Sequence, residues 1–231
     1  MEQKRLPGEL ALLLIIVINS LGVTFMTKSG FGISSISSVP YVFSQAFDFL
    51  SFGTWNYLFQ TSLVVLLMVL SHKIQPVYLV SFLVGVGFGK MIDVHEAWVL
   101  ALPDGFAFHV LYFVLGFLLI GFGICIGNLC GLPIIPTDTF PRDLSALLGI
   151  SYSKVKTSFD LLCLAVTVLL SFTVLRQLIG IGIGTVLCAF TMGKYISFLR
   201  PYVEKQVCFY CGTKAVWQTV KTMFLPLTPL R

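Results

Sequence analysis

Six apolar runs, each long enough or nearly long enough to cross a bilayer, restrict this chain to very few folds. A membrane helix needs about 17 to 25 mostly apolar residues, and in lipid its backbone polar groups must be satisfied internally. Only 11% of the 231 residues are charged, whereas a soluble domain carries about a quarter. We therefore predict an all-α integral membrane protein with six transmembrane helices, at residues 10–26, 56–70, 77–92, 107–126, 158–174 and 178–199. We place Asp93, Glu96 and Asp104 in an acidic loop after the third run.

Two segments interrupt the apolar pattern, because their prolines and polar residues cannot continue a membrane helix. Residues 131–148 read GLPIIPTDTFPRDLSALL, in which Thr139 and Pro141 indicate the start of a new helix. Residues 30–50 contain a weaker copy, with two serines before Pro40. We predict that both segments are re-entrant half-helices. The alternative is a pair of surface loops, each capped by a short interfacial helix.

The two halves of the chain match in register, which indicates an internal duplication. Gly22 and Pro40 meet Gly123 and Pro141 at a shift of 101 residues. Each half then holds three spans, and an odd number makes the halves face opposite ways across the membrane. We predict an inverted repeat (3+3), with the first repeat at 1–105 (broken segment 28–53), the second at 106–200 (broken segment 128–156), and a basic tail at 201–231.

Opposed half-helices would bring two helix N-termini together near the membrane midplane. Such ends present free backbone N–H groups and a partial positive charge, which favour an anionic or strongly hydrogen-bonding ligand. The polar residues of the two broken segments are therefore the candidate substrate-binding residues: Ser37, Ser38, Thr137, Asp138, Thr139, Arg142 and Asp143.

Three charged residues suggest more specific roles. Arg142 could clamp a carboxylate or phosphate, and Asp143 could carry a proton or cation, although the two could equally pair with each other. Asp160 lies among apolar residues of the fifth run, with Gln60 at the matching position of the first repeat. A carboxylate there is a candidate for proton or ion coupling. The alternative is that Asp160 lies at a helix end and reaches the headgroups near Lys156.

The distribution of positive charge predicts an orientation. With six spans, all but three of the 15 lysines and arginines (the exceptions are Lys28, Lys90 and Arg176) fall on the side of the two termini, and the positive-inside rule makes that side cytoplasmic. The net charge of +5 is too small and scattered to indicate nucleic acid. In the tail, apolar residues between 216 and 224 share one helical face, which suits a helix on the membrane surface.

Cys208 and Cys211 form a CxxC motif in the tail. One such motif supplies two of the four ligands that tetrahedral zinc requires. A homodimer could pool two motifs into a zinc site, and otherwise no cofactor is predicted. We interpret the cysteines in the apolar runs as small core residues.

Several motifs of the second half resemble the YczE/YitT-type family of bacterial multi-pass membrane proteins. The run 180–193 (GIGIGTVLCAFTMG) is similar to its glycine-threonine motif, and Pro141, Arg142 and Asp143 are similar to its proline-arginine-aspartate segment. Asp160 falls where the family often has an acidic residue. Lys194, where a proline is usual, departs from the pattern. The resemblance implies a multi-pass protein of the bacterial inner (cytoplasmic) membrane, for which export or small-molecule transport has been proposed.

Together these features predict a transporter of a small polar, anionic solute. Its partners would be the lipid bilayer and the solute. A membrane accessory or assembly protein that uses the basic tail is the first alternative. A membrane enzyme is the second, although no nucleophile, base or paired-carboxylate arrangement with a usable spacing supports it, and we predict that the protein is not an enzyme.

Overall fold

The computed structural model describes residues 4–71, 76–130, 132 and 134–210, which form an almost entirely helical protein. A short strand, β1 (Lys4–Pro7), precedes the first helix, and β2 (Val207–Tyr210) follows the last. The eight helices between them are α1 (Gly8–Ser29), α2 (Ser35–Ala46), α3 (Phe52–Ser71), α4 (Pro76–Val99), α5 (Phe106–Leu129), α6 (Pro136–Leu148), α7 (Tyr152–Leu170) and α8 (Ile183–Gln206). A π-helical turn, Ser171–Leu175, extends α7.

Within the described residues, four helical segments are long and apolar enough to cross a membrane: Gly8–Ser29, Phe52–Ser71, Phe106–Leu129 and Tyr152–Leu175. Their outward faces carry large apolar side chains, for example Leu13, Val69 and Leu169, each more than 60% exposed. Apolar surface on this scale needs a covering partner, and lipid is the partner that suits such helices. The fold is therefore that of an α-helical membrane protein.

The predicted acidic loop after the third run is wrong for two of its three residues. Asp93 and Glu96 lie within α4, which continues to Val99, and only Asp104 lies in the loop before α5. Asp93 helps to begin α3, because its carboxylate accepts hydrogen bonds from the backbone N–H of Gly53 (2.9 Å) and the hydroxyl of Ser51 (3.0 Å). A carboxylate at a helix N-terminus is a favourable placement, so the charge belongs to the packed structure.

The two short helices, α2 and α6, lie between the long ones. Helix α1 packs against α4 and α5, and α5 packs against α8. Helix α3 packs against α4, and α7 against α8. Helix α2 contacts α3, α7 and α8, whereas α6 contacts α7, α3 and α4. Both short helices fall inside the segments that the sequence marks as broken, 28–53 and 128–156.

Each short helix begins earlier than its proline suggests. Helix α6 begins at Pro136 and contains Pro141, so the predicted start at Thr139 and Pro141 is wrong. Helix α2 begins at Ser35 and contains Pro40. In both helices the internal proline is the sixth residue, and it removes the N–H that would pair with the carbonyl of the second residue. The helices tolerate this loss near their N-termini, where the helical hydrogen bonds are only beginning.

A backbone-to-backbone contact holds the loop before α2 against the loop before α8. The N–H of Ile33 donates to the carbonyl of Gly180 (3.1 Å), and the N–H of Gly184 donates to the carbonyl of Phe31 (2.9 Å). A side chain at Gly182 would overlap the carbonyl oxygen of Phe31. The glycines of this run therefore permit a close backbone approach, which fixes where α2 begins.

The chain ends of the described region lie side by side. Strands β1 and β2 pair in parallel, with Lys4 opposite Val207 and Pro7 opposite Tyr210. Helix α8 thus continues past the predicted tail boundary at residue 201, and Cys208 lies in β2. Cys211 and the predicted surface helix at 216–224 lie outside the described residues.

Lys28, at the end of α1, stabilises the loop between α4 and α5. Its ammonium lies 2.7 Å from a carboxylate oxygen of Asp104 and donates to the carbonyl of Leu100 (3.0 Å). The hydrogen bond from Lys28, with a further one from His109, lowers the pKa of the Asp104 carboxyl from its ordinary value of 3.8. Because the unfolded chain then binds more protons, this contribution to stability is present above the ordinary pKa and is lost as pH falls through the lowered pKa.

We expect Lys28→Gln to reduce the acid-induced loss of stability, since Asp104 then keeps only its contact with His109 and its pKa in the folded protein lies closer to that in the unfolded chain. The check is the thermal unfolding temperature of the purified protein against pH, in the acid range. Asp48→Asn, in the exposed turn after α2, is the control and should leave the profile as in the wild type. Identical profiles for Lys28→Gln and wild type would contradict the expectation.

Candidate functional site

A small buried cavity lies where the first turns of α2 and α6 meet. Its volume is about 30 Å³, which is enough for one or two water molecules. Helices α1, α3, α4, α5 and α7 complete its wall. The polar residues that line it are Asn19, Ser34, Ser37, Asn56, Thr137, Asp138 and Lys156. We call this space the central cavity.

Neither short helix has a side-chain cap at the end that borders the central cavity. Ser34 and Ile135 occupy the N-cap positions, and neither makes a side-chain capping hydrogen bond. The first N–H groups of a helix generally have no partner within the helix, although in α6 Pro136 has no N–H and the N–H of Asp138 donates to the carbonyl of Ile135 at 2.9 Å. A buried helix end therefore needs another acceptor, and here two such ends border one polar space. This arrangement suits a ligand that accepts hydrogen bonds.

The most unusual residue of the site is Lys156, which is only 1% exposed. Its ammonium donates to both carboxylate oxygens of Asp160, at 2.6 and 2.8 Å, and Asp160 is itself 2% exposed. The two residues lie one turn apart on α7. Burying either charge alone would be very costly, so each makes the burial of the other tolerable.

A neutral pair occupies the matching position of the first half. The Gln60 amide donates to the Asn56 carbonyl oxygen at 2.5 Å, and both residues are fully buried on α3. Their spacing of four residues is that of Lys156 and Asp160. Asn56 and Lys156 also line the same cavity. The two sides of the central cavity therefore have similar geometry and different charge.

Asp138 brings a second carboxylate to the cavity. It is the third residue of α6 and is 4% exposed, and it shares the cavity wall with Lys156 and Ser37. Within the described residues its carboxylate receives no hydrogen bond like those that hold Asp160. A carboxylate near a helix N-terminus is favourably placed, but its position here leaves it facing a closed polar space.

The predicted substrate-binding residues divide into three groups in the structure. Ser37, Thr137 and Asp138 line the central cavity together. The side chains of Ser38 and Thr139 are also buried, and their hydroxyl groups form hydrogen bonds with other groups of the protein. Ser38 bonds the hydroxyl of Thr167 and the carbonyl of Ser35, both at 2.7 Å.

Thr139 donates to the carbonyl of Ile134 at 3.1 Å. Its hydroxyl therefore bridges the turn that leads into α6, and it stabilises the start of that helix.

Arg142 and Asp143 form the third group, and they do not line the central cavity. Their side chains pair at 2.8 Å and are about a quarter exposed. Arg142 lines a second, larger cavity of about 290 Å³, together with Asn128, Tyr152 and Arg200. We call this the outer cavity. The cation at the central cavity is therefore Lys156, where the sequence suggested Arg142.

The charge pattern counts Lys156 among the residues on the side of the termini, which stays a prediction, and the structure shows that its side chain is buried. One face of the first turns of α7 is buried, with Val155, Lys156, Phe159 and Asp160, and Asp160 supplies the partner that a buried lysine requires. The i, i+4 spacing of Lys156 and Asp160 is the signal that could have indicated the pair. Asn19 and Asn56 had no comparable signal, because a lone buried amide is common in packed helices.

The structure provides no further support for a metal centre. Among the described residues, no group of three or more histidine, cysteine or acidic side chains could hold an ion. Cys208 is an exposed free thiol, and its predicted partner Cys211 lies outside the described residues. Zinc at Cys208 and Cys211 stays a prediction.

A helical membrane protein with a water-sized cavity, lined by charged residues, between two short helices is thus the class that fold and site define. The chain belongs to a family of unknown function, DUF6198, whose model matches residues 6–201. No curated protein and no solved structure matches the chain. The resemblance to YczE/YitT-type proteins stays a prediction.

Proposed function

We propose that this protein transports a small polar, anionic solute across a membrane and binds it in the central cavity. The observation that carries the proposal is the pair of uncapped, buried helix N-termini that border this cavity. Irregular backbone at membrane depth is tolerated where it lines a cavity, and discontinuous helices at the midplane are typical of transporters. Lys156 lines the same cavity, and Asp160 balances its charge.

The proposal includes six spans arranged as an inverted repeat, and the helix packing supports it. Exchanging the first four helices with the last four reproduces the contacts of the fold. Helix α1 on α4 corresponds to α5 on α8, and α3 on α4 corresponds to α7 on α8. The crossed contacts of α2 with α7 and of α6 with α3 also correspond. The pairing of β1 with β2 brings the two ends of the described region together, which is consistent with an even number of crossings.

The wall of the central cavity supports the same duplication. Ser37 and Asp138 line it at the shift of 101 residues, as do Asn19 and Ile120. At the same shift, Val23 matches Ile124, Ser34 matches Ile135 and Ile36 matches Thr137, and after the loss of one residue Asn56 matches Lys156 at a shift of 100. The pseudo-twofold axis that we propose would pass through the cavity and account for these pairs, which include every lining residue except Phe88.

Close helix contacts repeat in the same way. A side chain on Gly89 of α4 would lie 2.5 Å from the carbonyl oxygen of Gly53 on α3. At the matching crossing of α8 with α7, a side chain on Gly193 would lie 3.2 Å from the carbonyl oxygen of Ser153. A glycine thus permits the close approach in each half, and alternating access would follow from rocking one half against the other.

In this mechanism the central cavity is the occluded site and the outer cavity is the route to it from one side. Tyr152 lines the outer cavity together with Asn128 and Arg142. The excess of lysine and arginine on the side of the chain ends supports a cytoplasmic location for both termini. The membrane we propose is the bacterial inner membrane.

The test is thermal unfolding of the detergent-purified protein with formate, acetate and nitrate, each over a range of concentrations. An anion at about one hundred times its dissociation constant should add about 2.7 kcal/mol. Ser37→Leu, which fills the central cavity, should abolish this increment. Ser145→Leu, which alters the wall of the outer cavity, is the matched control and should retain it.

Equal stabilisation of Ser37→Leu and wild type would overturn the central-cavity site. Uptake of the same anion into proteoliposomes then separates transport from binding alone. If the anion binds but is not taken up, the protein is a membrane accessory protein and not a transporter. If Cys208→Ser no longer assembles with a partner but still takes up the anion, the tail has the accessory role.

A further inference from the structure

The charges around the central cavity nearly cancel when every group is ionised. Lys156 is neutralised by its ion pair with Asp160. The remaining carboxylate, Asp138, faces two helix N-termini that each carry about half a positive charge. An anion that entered this cavity would therefore meet a carboxylate with no charge left to compensate it. With Asp138 neutral, the same cavity would carry a net positive charge of about one.

The other two acidic candidates are less able to exchange a proton at this place. Both oxygens of Asp160 are held by Lys156, and protonating Asp160 would leave a buried ammonium without its partner. Asp143 is paired with Arg142 and partly exposed, away from the central cavity. Asp138 is the carboxylate that lines the cavity within the described part of the chain.

Accordingly, we propose that Asp138 is the proton-coupling residue, which takes up one proton when the anion binds and releases it when the anion leaves. This inference rests on the proposed function of the central cavity. It replaces the expectation from the sequence that Asp160 or Asp143 couples the proton. The proton bonds to a carboxylate oxygen of Asp138, and no covalent bond to the solute forms.

The groups that face Asp138 from each neighbouring element are consistent with this role. Helix α7 contributes Lys156, Asp160 and Tyr152, and α6 itself contributes Arg142. From α3, α4 and α5 the cavity wall contains Asn56, Phe88, Ile120 and Ile124, none of which is charged. A change of charge at Asp138 is therefore felt directly at the ligand position.

Linkage gives the expected pH dependence of the coupling. If one proton enters with one anion, the affinity for the anion rises about tenfold for each pH unit lowered, as long as Asp138 is ionised in the free protein. Asp138→Asn mimics the neutral state, so its anion affinity should be high and nearly independent of pH. Asp143→Asn, five residues further along the same helix, is the matched control and should keep the wild-type slope.

The closing experiment follows the proton directly. Infrared spectroscopy of the reconstituted protein, with and without saturating formate, should show a protonated-carboxyl C=O band that grows when formate binds. The band should be absent in Asp138→Asn and present in Asp143→Asn. Asp138→Glu, which retains a carboxyl group, should restore a band at a shifted frequency and so separates loss of the proton site from misfolding.

A formate-induced band that persists in Asp138→Asn would overturn the assignment, as would a pH-independent affinity in the wild type. Either result would leave the central cavity intact as the binding site. If no anion binds at any pH, the proposed function fails. A protonated-carboxyl band that titrates with pH and is lost in Asp138→Asn would in that case still identify the proton site.

Discussion

Lys156→Asn alone is expected to destabilise the folded protein by about 3 to 5 kcal/mol, because it leaves the Asp160 carboxylate buried without its partner. Asp160→Gln alone should cost a similar amount for the converse reason. The two substitutions together give the second half the neutral amide pair that Asn56 and Gln60 form in the first. The double variant should therefore recover most of the lost stability.

The measurement is a double-mutant cycle of thermal or denaturant unfolding in one detergent. The stability changes of two residues in one ion pair do not add. Here the double variant should lose much less stability than the sum of the two single variants. The Arg200–Glu204 pair is exposed and has the same i, i+4 spacing, so Arg200→Gln is a control that should cost less than about 1 kcal/mol. If the double variant loses as much stability as the two single variants together, Lys156 and Asp160 do not stabilise each other.

Gly182→Val should prevent the loop before α8 from docking onto the loop before α2. Its side chain would occupy the space of the Phe31 carbonyl oxygen, and a backbone atom cannot move aside as a side chain can. Overpacking at a close contact typically costs about 1 to 3 kcal/mol, and occasionally more. We expect the upper end of this range, because the hydrogen bonds of Ile33 and Gly184 depend on the same approach.

Ile183→Ala tests the same segment without crowding it. Ile183 is 85% exposed and faces the surface that lipid covers in our interpretation, so its truncation should change stability little. The readout is the fraction of monodisperse protein after detergent extraction, together with its unfolding temperature. If Gly182→Val and Ile183→Ala behave alike, the close approach has no energetic importance.

The membrane class and most of the helices could be predicted, because long apolar runs have few alternatives in a chain this poor in charge. The broken segments were also visible, since Pro40 and Pro141 cannot continue a membrane helix. The start of the helix in such a segment was predicted too late, because a proline is tolerated as the sixth residue of a short helix. Asp93 was misplaced for a different reason: a charged residue can lie in a helix when it caps a neighbouring one, as Asp93 does for α3.

The site was harder to predict than the segments that form it. Ser37, Thr137 and Asp138 were selected as polar residues of the broken segments, and they do lie together. Lys156 was not selected, because a lysine near a helix start usually reaches solvent, and only the packing of α6 and α2 over α7 buries it. Arg142 was selected for its charge, but the direction in which α6 presents it is a property of the tertiary structure.

The parallel pairing of Lys4–Pro7 with Val207–Tyr210 has a consequence for the connectivity of the chain. The beginning and end of the described fold are neighbours, and the connection between α4 and α5 is a short exposed loop at residues 100–105. Joining the old ends and opening this loop would give a circular permutant in which α5 to α8 precede α1 to α4. Every helix would keep its neighbours. The order in which the two halves are synthesised is thus separable from the structure they form.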